Sequence, residues 1–549
     1  MLSVAAHATN DIWRPGGGGG ASRIATFYPV RGLSSERGAH PRVRITSMRL
    51  KLTVSAAATA ALVLAAGLGG ASADTPAVDG AVKVYGNSFS SQGAMKQLIR
   101  VRRSGNSCTR AFSSASGGRM KVTVGPNGTQ ECAYDPLVIG GPDIAGDDEE
   151  MDNLEVIAEN VRIQGSAPVP SRLPKAFASV SIRDGNDGTK GYYLSVFPGA
   201  TTPRWEVWRN LPADMGCKIV ATGTNAVAGL STDNTLALRV FESGLGGPFA
   251  NEVSAKVNDT EVWSDGSPSS SIDPERTALS IGAASNGPTR NVGDPGCPNT
   301  DGGGAQGVTG SFDKVQVNVP DPRPDGMDTD DVKEKGKPSG SPTPAASCPG
   351  SPCEAIGRLT GYQTQIQGNP PKTNPYGMAQ DTGQLIAWRL TLGDPNQTQM
   401  NFFQNFFGAG PRAGVGVLVK NPSYSNRFQL VRKLPGVDLT DQFFGHRITV
   451  APGLAKRIDL NNKVGLIVGT WAPAFATGIP SSNTWRATRE AGFADVDVPV
   501  PTSPPPCSPG ADGINFKNGQ AHNEDGLFAR YRCSYNTARL MYTALIAVP

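Results

Sequence analysis

Histidine is scarce in this 549-residue chain, with four residues in all, and only His446 and His522 lie beyond position 73. No G-x-S-x-G elbow accompanies them, so a Ser-His-Asp hydrolase lacks its nucleophile turn and has no histidine base between residues 74 and 445. No glycine-rich phosphate loop follows a strand and opens a helix, which excludes nucleotide binding of that kind. There is no C-x-x-C pair either, and with so few histidines a zinc site lacks ligands. Long apolar runs are missing too, with one exception: "MRLKLTVSAAATAALVLAAGLGGASADTP", residues 48–76.

Arg49 and Lys51 give that stretch a positive start, Leu52 to Leu68 an apolar centre, and Ala71-Ser72-Ala73 an A-x-A cleavage site. These are the parts of a secretory signal peptide. A transmembrane helix wants about 20 apolar residues and no cleavage site. The expectation is a signal peptide over 48–73 and a mature N-terminus at Asp74. A signal acts from the N-terminus, and Met48 is placed to begin one. Residues 1–47, with "RPGGGGGAS" and scattered arginines, show no apolar period and no caps; they read as a disordered, non-native upstream extension. No lipobox cysteine follows the cut, and "LMYTALIAVP" is too short to span a bilayer, so release to the medium or loose wall association is expected.

Removing residues 1–73 changes the charge. They hold eight of the 51 basic and two of the 47 acidic residues, leaving 43 against 45, a net of −2 rather than +4. A nucleic-acid partner needs a basic stripe to displace counterions, and none is present.

Eight cysteines remain: Cys108, Cys132, Cys217, Cys297, Cys348, Cys353, Cys507 and Cys533. After export an even count reads as disulfides. They divide four and four around "PDPRPDGMDTDDVKEKGKPSGSPTPAAS", 320–347, whose Pro, Gly, Ser and charge are the composition of a linker. Two domains follow, 74–319 and 348–549, each long enough for its own core. Pairing within domains leaves nine connectivities. Cys108 and Cys132 bracket two short runs with turns and can meet across neighbouring strands, which pairs Cys217 with Cys297 by exclusion. Cys507 and Cys533 flank a polar loop, and Cys348 and Cys353 enclose only "PGSP".

Both domains read as all-β sandwiches. "FASVSIR" (177–183) puts Ala178, Val180 and Ile182 on one face, "DGNDGTKG" turns, and "YYLSVF" (192–197) alternates again. "RWEVWRN", "TLALRVF" (Leu236, Leu238, Val240), "VSAKVNDTEVW", "ALSIG" and "SFDKVQVNV" (Val315, Val317, Val319) continue the pattern. Alternation implies one wet and one buried face per strand, hence two sheets packed face to face. The succession "GYYLSVFPG…RWEVWRN", "NEVSAKVNDTEVW", "TALSIGAASNG" and "GSFDKVQVNVP" resembles the concanavalin A-like jelly roll of laminin-G-like, lectin and glucanase domains, across residues 78–320 and best over 177–320. Asn258-Asp259 stands where that family usually has Asp-Gly. The fold hosts lectins, hydrolases and plain spacers, so the resemblance implies a fold and leaves function open.

One branch of that family implies chemistry for "EEMDNLE": Glu150, Asp152 and Glu155 in an E-x-D-x-x-E arrangement, as a retaining glycosidase would place its two carboxyls about 5–5.5 Å apart. On a regular strand Glu150 and Asp152 share a face and Glu155 points the other way. The motif also ends an acidic loop with no tryptophan cluster around it, so a strand residue at 155 is the preferred reading. Asp143, Asp147, Asp148 and Asp152 in that loop are a weak calcium candidate, since the run lacks the EF-hand pattern; no other cofactor is expected. Trp205 or Trp263 offers a stacking face for a sugar, against the plainer reading that large aromatics fill cores. Trp205 and Trp208 differ by three and face opposite sides of a strand.

In the second domain "GQLIAWRLTLGDP" turns Ile386, Trp388, Leu390 and Leu392 inward, and "MNFFQNFFG" is the one helical pattern, through the i,i+4 pairs Phe402/Phe406 and Phe403/Phe407. The order of "AGVGVLVKN", "NRFQLVRKL", "KVGLIVGTWAPAFA" and "YRCSYNTARLMYTALI" resembles uncharacterised β-sandwich domains of secreted actinobacterial proteins, over 353–547. "TWAPAFATG…NTWRATRE" brings Trp471, Trp485, Arg486 and Arg489 into one neighbourhood, a grip for a sugar or acidic polymer if it does not pack on itself. The expected function is non-enzymatic binding of a polysaccharide or cell-surface glycan. A glycoside hydrolase using Glu150 and Glu155, and a surface or adhesion module contacting another protein, are the rivals.

Overall fold

The alternation becomes strand along the chain. In the computed structural model Leu236, Leu238 and Val240 of the strand Asn234–Phe241 lie in the first core, as do Val315, Val317 and Val319 of Lys314–Pro320. The structure describes residues 81–101, 108–114, 118–125, 131–140, 154–164, 175–183, 190–210, 217–241, 252–265, 276–283, 297, 307–320, 332–337, 354–367, 370–376, 382–434, 436–451, 456–477, 479, 481–495, 497 and 519–548. The signal and upstream segments lie outside these, as do Glu150, all four calcium-candidate aspartates, Cys348, Cys353 and Cys507.

Among the described residues the strands form sheets of nine, thirteen and ten. The fold is all-β, two sandwiches. The nine-stranded sheet and one end of the thirteen-stranded sheet enclose the first core; the other end of that sheet and the ten-stranded sheet enclose the second. The thirteen-stranded sheet therefore runs through both halves. Its order passes from Ala176–Arg183 and Arg276–Ala283 to Val138–Gly140, then to Arg447–Ala451, Gly383–Thr391, Tyr542–Ala547 and Val332–Lys335.

The join is made by "DPLVIG", 135–140. Asp135 Oδ1 accepts the Leu137 N–H at 2.6 Å, which holds Leu137 at a φ of 59° that a bulky residue rarely adopts. Val138–Gly140 then lies parallel to Arg447–Ala451, Val138 opposite Thr449 and Ile139 opposite Val450. Leu137 and Ile139 belong to the second core and Val138 to the first. In return Ile386, Ala387, Ala451, Leu545 and Ala547 belong to the first core. Arg276 from the first half sits over the Phe443 ring of the second, 4.9 Å from its centroid.

Two expectations are corrected here. Segment 320–347 is not spacer throughout: Val332–Lys335 pairs antiparallel with the last strand, Val332 opposite Ala547. Its strand is held by pairing and by the arginine partners of Glu334, which composition does not register. Ile386 does not share a core with Trp388 and Leu390, because a bulge between Leu385 and Ala387 resets the parity of Gly383–Thr391.

Cys108–Cys132 and Cys217–Cys297 are bonded as expected, with Cα separations of 5.6 and 5.8 Å. Cys533 is also disulfide-bonded, and its expected partner Cys507 lies outside the described residues. The helix Gln397–Phe407 starts from an Asn396–Gln399 capping box and stops at Gly408, at φ 77°. Phe403 and Phe407 are its buried pair, and Phe402 is exposed and stacked on Phe406. At the hairpin Val257↔Thr260 both Asn258 and Asp259 take positive φ, 48° and 62°; the Asn258 side chain bonds the Thr235 N–H and the Ala226 carbonyl, so Asn does there what glycine does elsewhere.

Candidate ligand-binding site

Glu155 lies on Leu154–Ile163, mid-sheet, on the face away from Leu154 and Val156. Its cross-strand neighbours are Arg239 and Asn318. Arg239 donates to Oε1 from both Nε (3.1 Å) and a terminal nitrogen (2.8 Å), and Asn318 donates to Oε2 at 2.7 Å. All three are nearly enclosed. Both carboxylate oxygens are thus engaged in a buried ion pair, an arrangement that fixes strand register and leaves no oxygen for a substrate. Among the described residues, no group of three His, Cys, Asp or Glu side chains is placed to hold a metal ion.

The aromatic candidates pack inward. Trp205 lies in the first core, its Nε1 bonded to Asn225 at 3.0 Å and its ring against Gly223. Trp263 packs on that core with its ring 6.2 Å from Tyr192. Trp471 is wedged between Phe403 and Phe444, and donates to the Ala409 carbonyl at 3.1 Å. Trp485 stacks on Tyr535 at 4.3 Å. Arg486 is half-buried on the same strand, between Tyr362 and Ser534 of the neighbouring strands. Arg489 donates to the Gly357 and Arg358 carbonyls. Trp205 and Trp208 take opposite sides of their strand, as their spacing implies; Trp205, Trp471 and Trp485 are buried, and Trp263 is partly buried.

A different set of residues converges on the outer face of the first half. The registers of five strands place Ser280, Ser179, Ser195, Glu206 and Thr222 in one row across the sheet. Beside it runs a second row, Ala278, Ser181, Tyr193 and Trp208. Expected to be wet, this face is covered: every residue of Ala176–Arg183 and Gly191–Phe197 is buried. The Cys217–Cys297 bridge packs on Tyr193 and Trp208 and accounts for part of that cover. Glu206 is held by Arg204 Nε at 2.7 Å and by Trp208 Nε1 at 3.1 Å, and Arg204 lies over the Phe197 ring at 4.2 Å. The Ser179 and Ser195 hydroxyls are buried and have no hydrogen-bond partner among the described residues. A buried hydroxyl without a partner is costly, by roughly 1–3 kcal/mol. The signal for this row was present in "FASVSIR" and "YYLSVF", whose serines fall at outward positions of paired strands.

No family model matches the chain, and no curated protein does. Among solved structures, the potassium-bound Emp46p carbohydrate recognition domain is 9% identical, with a TM-score of 0.26, covering 42% of this chain and 94% of that one. The carbohydrate binding module CBM66 from Bacillus subtilis gives 9% and 0.25, over 41% of this chain and 96% of its own. An endo-β-1,4-glucuronan lyase from Trichoderma reesei gives 12% and 0.28, over 43% and 94%. Likeness at this level carries no assignment of activity. Among the described residues no helix is long and apolar enough to cross a membrane.

Proposed function

We propose that the chain is an exported, non-enzymatic binding protein for a polysaccharide or cell-envelope glycan. The observation that supports this is the all-β sandwich fold, together with the resemblance of residues 177–320 to the concanavalin A-like jelly roll, which hosts lectins. On a glycan array, the chain from Asp74 onward should retain at least one glycan class. Retention of no glycan would overturn the reading, and turnover of a β-glucan by the wild type would overturn its non-enzymatic part.

Export is supported by the 48–73 segment and by disulfides at the expected positions, which persist in oxidising compartments. Mass spectrometry of secreted material should find Asp74 at the N-terminus. A peptide from residues 1–47 in that material would count against both the export and the start-site reading.

A further inference from the structure

Four cations line one small recess at the seam between the halves: Lys337, Arg389, Arg447 and Arg539. The carboxylate that answers them is Glu334, on the strand inside the expected linker. Arg389 donates to its Oε2 at 2.7 Å, and Arg447 and Thr543 bond its Oε1. Arg389 also donates to the Val84 carbonyl of the first half at 2.7 Å, and Arg539 to the Gly336 carbonyl at 3.0 Å. Arg539 is 9% exposed and its Nε is buried without a hydrogen-bond partner among the described residues. Among the described residues, then, four positive charges meet one negative charge, a local excess of three. Guanidinium groups do not relieve such an excess by losing protons. Burial holds the Arg389 and Arg539 guanidiniums below the usual arginine range, which marks both as poorly solvated. The recess has room for about one water-sized body.

We propose that this recess binds a single small inorganic anion of chloride's size, between Lys337 and the guanidiniums of Arg389, Arg447 and Arg539. The anion reduces the uncompensated charge and ties the strand Val332–Lys335 and its Gly336 turn to the shared sheet. Size selects against larger oxyanions, which carry more charge but do not fit among the side chains. The site stands apart from the serine–Glu206 row and does not depend on glycan binding.

The test is thermal unfolding of the full chain at fixed ionic strength, with sodium chloride exchanged against sodium gluconate. The wild type should gain stability saturably with chloride. Lys337→Ala, an exposed position, should raise the half-saturating chloride concentration by about tenfold, and Arg539→Gln should remove the chloride dependence. Crystals soaked in bromide should give an anomalous peak among the three arginines. A chloride effect of equal size in Lys337→Ala would be a bulk salt effect and would overturn the proposal. So would the lack of any effect in the wild type, a bromide peak elsewhere only, or tighter stabilisation by phosphate than by chloride. Should Arg539→Gln fail to fold, the Lys337 variant and the bromide position still decide.

Discussion

Asp135→Ala is expected to cost about 3–5 kcal/mol of stability, because it removes a carboxylate that bridges two buried arginines. Arg276 and Arg183 lie directly opposite each other on adjacent strands, where like charges repel. Asp135 Oδ2 takes both Nε and a terminal nitrogen of Arg276, at 2.9 and 2.7 Å, and lies 3.6 Å from Arg183. All three residues are at most 5% exposed, so solvent cannot replace the lost charge. The same side chain holds Leu137 in its positive-φ turn, and Arg276 in turn reaches Phe443. The damage therefore falls on the seam. Chemical denaturation gives the magnitude, and calorimetry should show one peak displaced as a whole, since a continuous sheet and exchanged core residues couple the halves. Asp135→Asn keeps the acceptor for Leu137 and should lose less. A loss below about 1 kcal/mol for alanine, or two well-separated peaks in the wild type, would rule this account out.

That coupling was the least legible part of the fold. Strands were readable because a strand with one buried face alternates, as Leu236, Leu238 and Val240 do, and because phenylalanines four apart mark a helix face. Two disulfides were readable from their brackets of strand and turn. "DPLVIG" has no period at all; its residues go to two different cores because the chain crosses from one sandwich to the other within them. Val332–Lys335 is charged and short, and becomes strand only through a partner more than 200 residues away. The bulge at 385–387 inverts a face without any glycine or proline to announce it.

The candidate site was legible in part, for a related reason. Spacing told which side of a strand Trp205 and Trp208 take, yet it says nothing about whether that side is covered. Trp471 and Trp485 sit in segments that read either as a binding grip or, preferably, as loops packed on themselves, and they are core, where neighbouring aromatics such as Phe403 and Tyr535 close over them. Glu155 reads as an outward strand residue or a catalytic acid, and its pairing with Arg239 depends on a register that joins residues 84 positions apart. The hydroxyl row is visible only once five strands are aligned.

His522 sets the expected behaviour in acid. It is fully buried, with Nε2 3.0 Å from the Leu527 carbonyl and Nδ1 3.1 Å from the Tyr531 hydroxyl. A carbonyl only accepts, so Nε2 carries the proton and Nδ1 accepts from Tyr531. Protonating Nδ1 would strip Tyr531 of its acceptor and place a charge among buried aromatics, and burial pushes the His522 pKa down to about 4. In the unfolded chain the ordinary value is about 6.5. Between the two, the unfolded state binds the extra proton, so stability is full above about pH 6.5 and falls as pH drops towards 4. A shift of that size corresponds to about 3 kcal/mol, levelling off below pH 4. Half-buried His446, also lowered by burial, adds a smaller slope of the same sign. Urea denaturation from pH 4 to 7.5 should show the wild type losing about 3 kcal/mol more than His522→Gln. Titrating carboxylates contribute equally to both proteins and cancel in the difference. Parallel curves would mean that His522 keeps its ordinary pKa in the folded chain and would overturn this account; a wild type that gains stability in acid would mean that His522 is protonated there and donates to Tyr531.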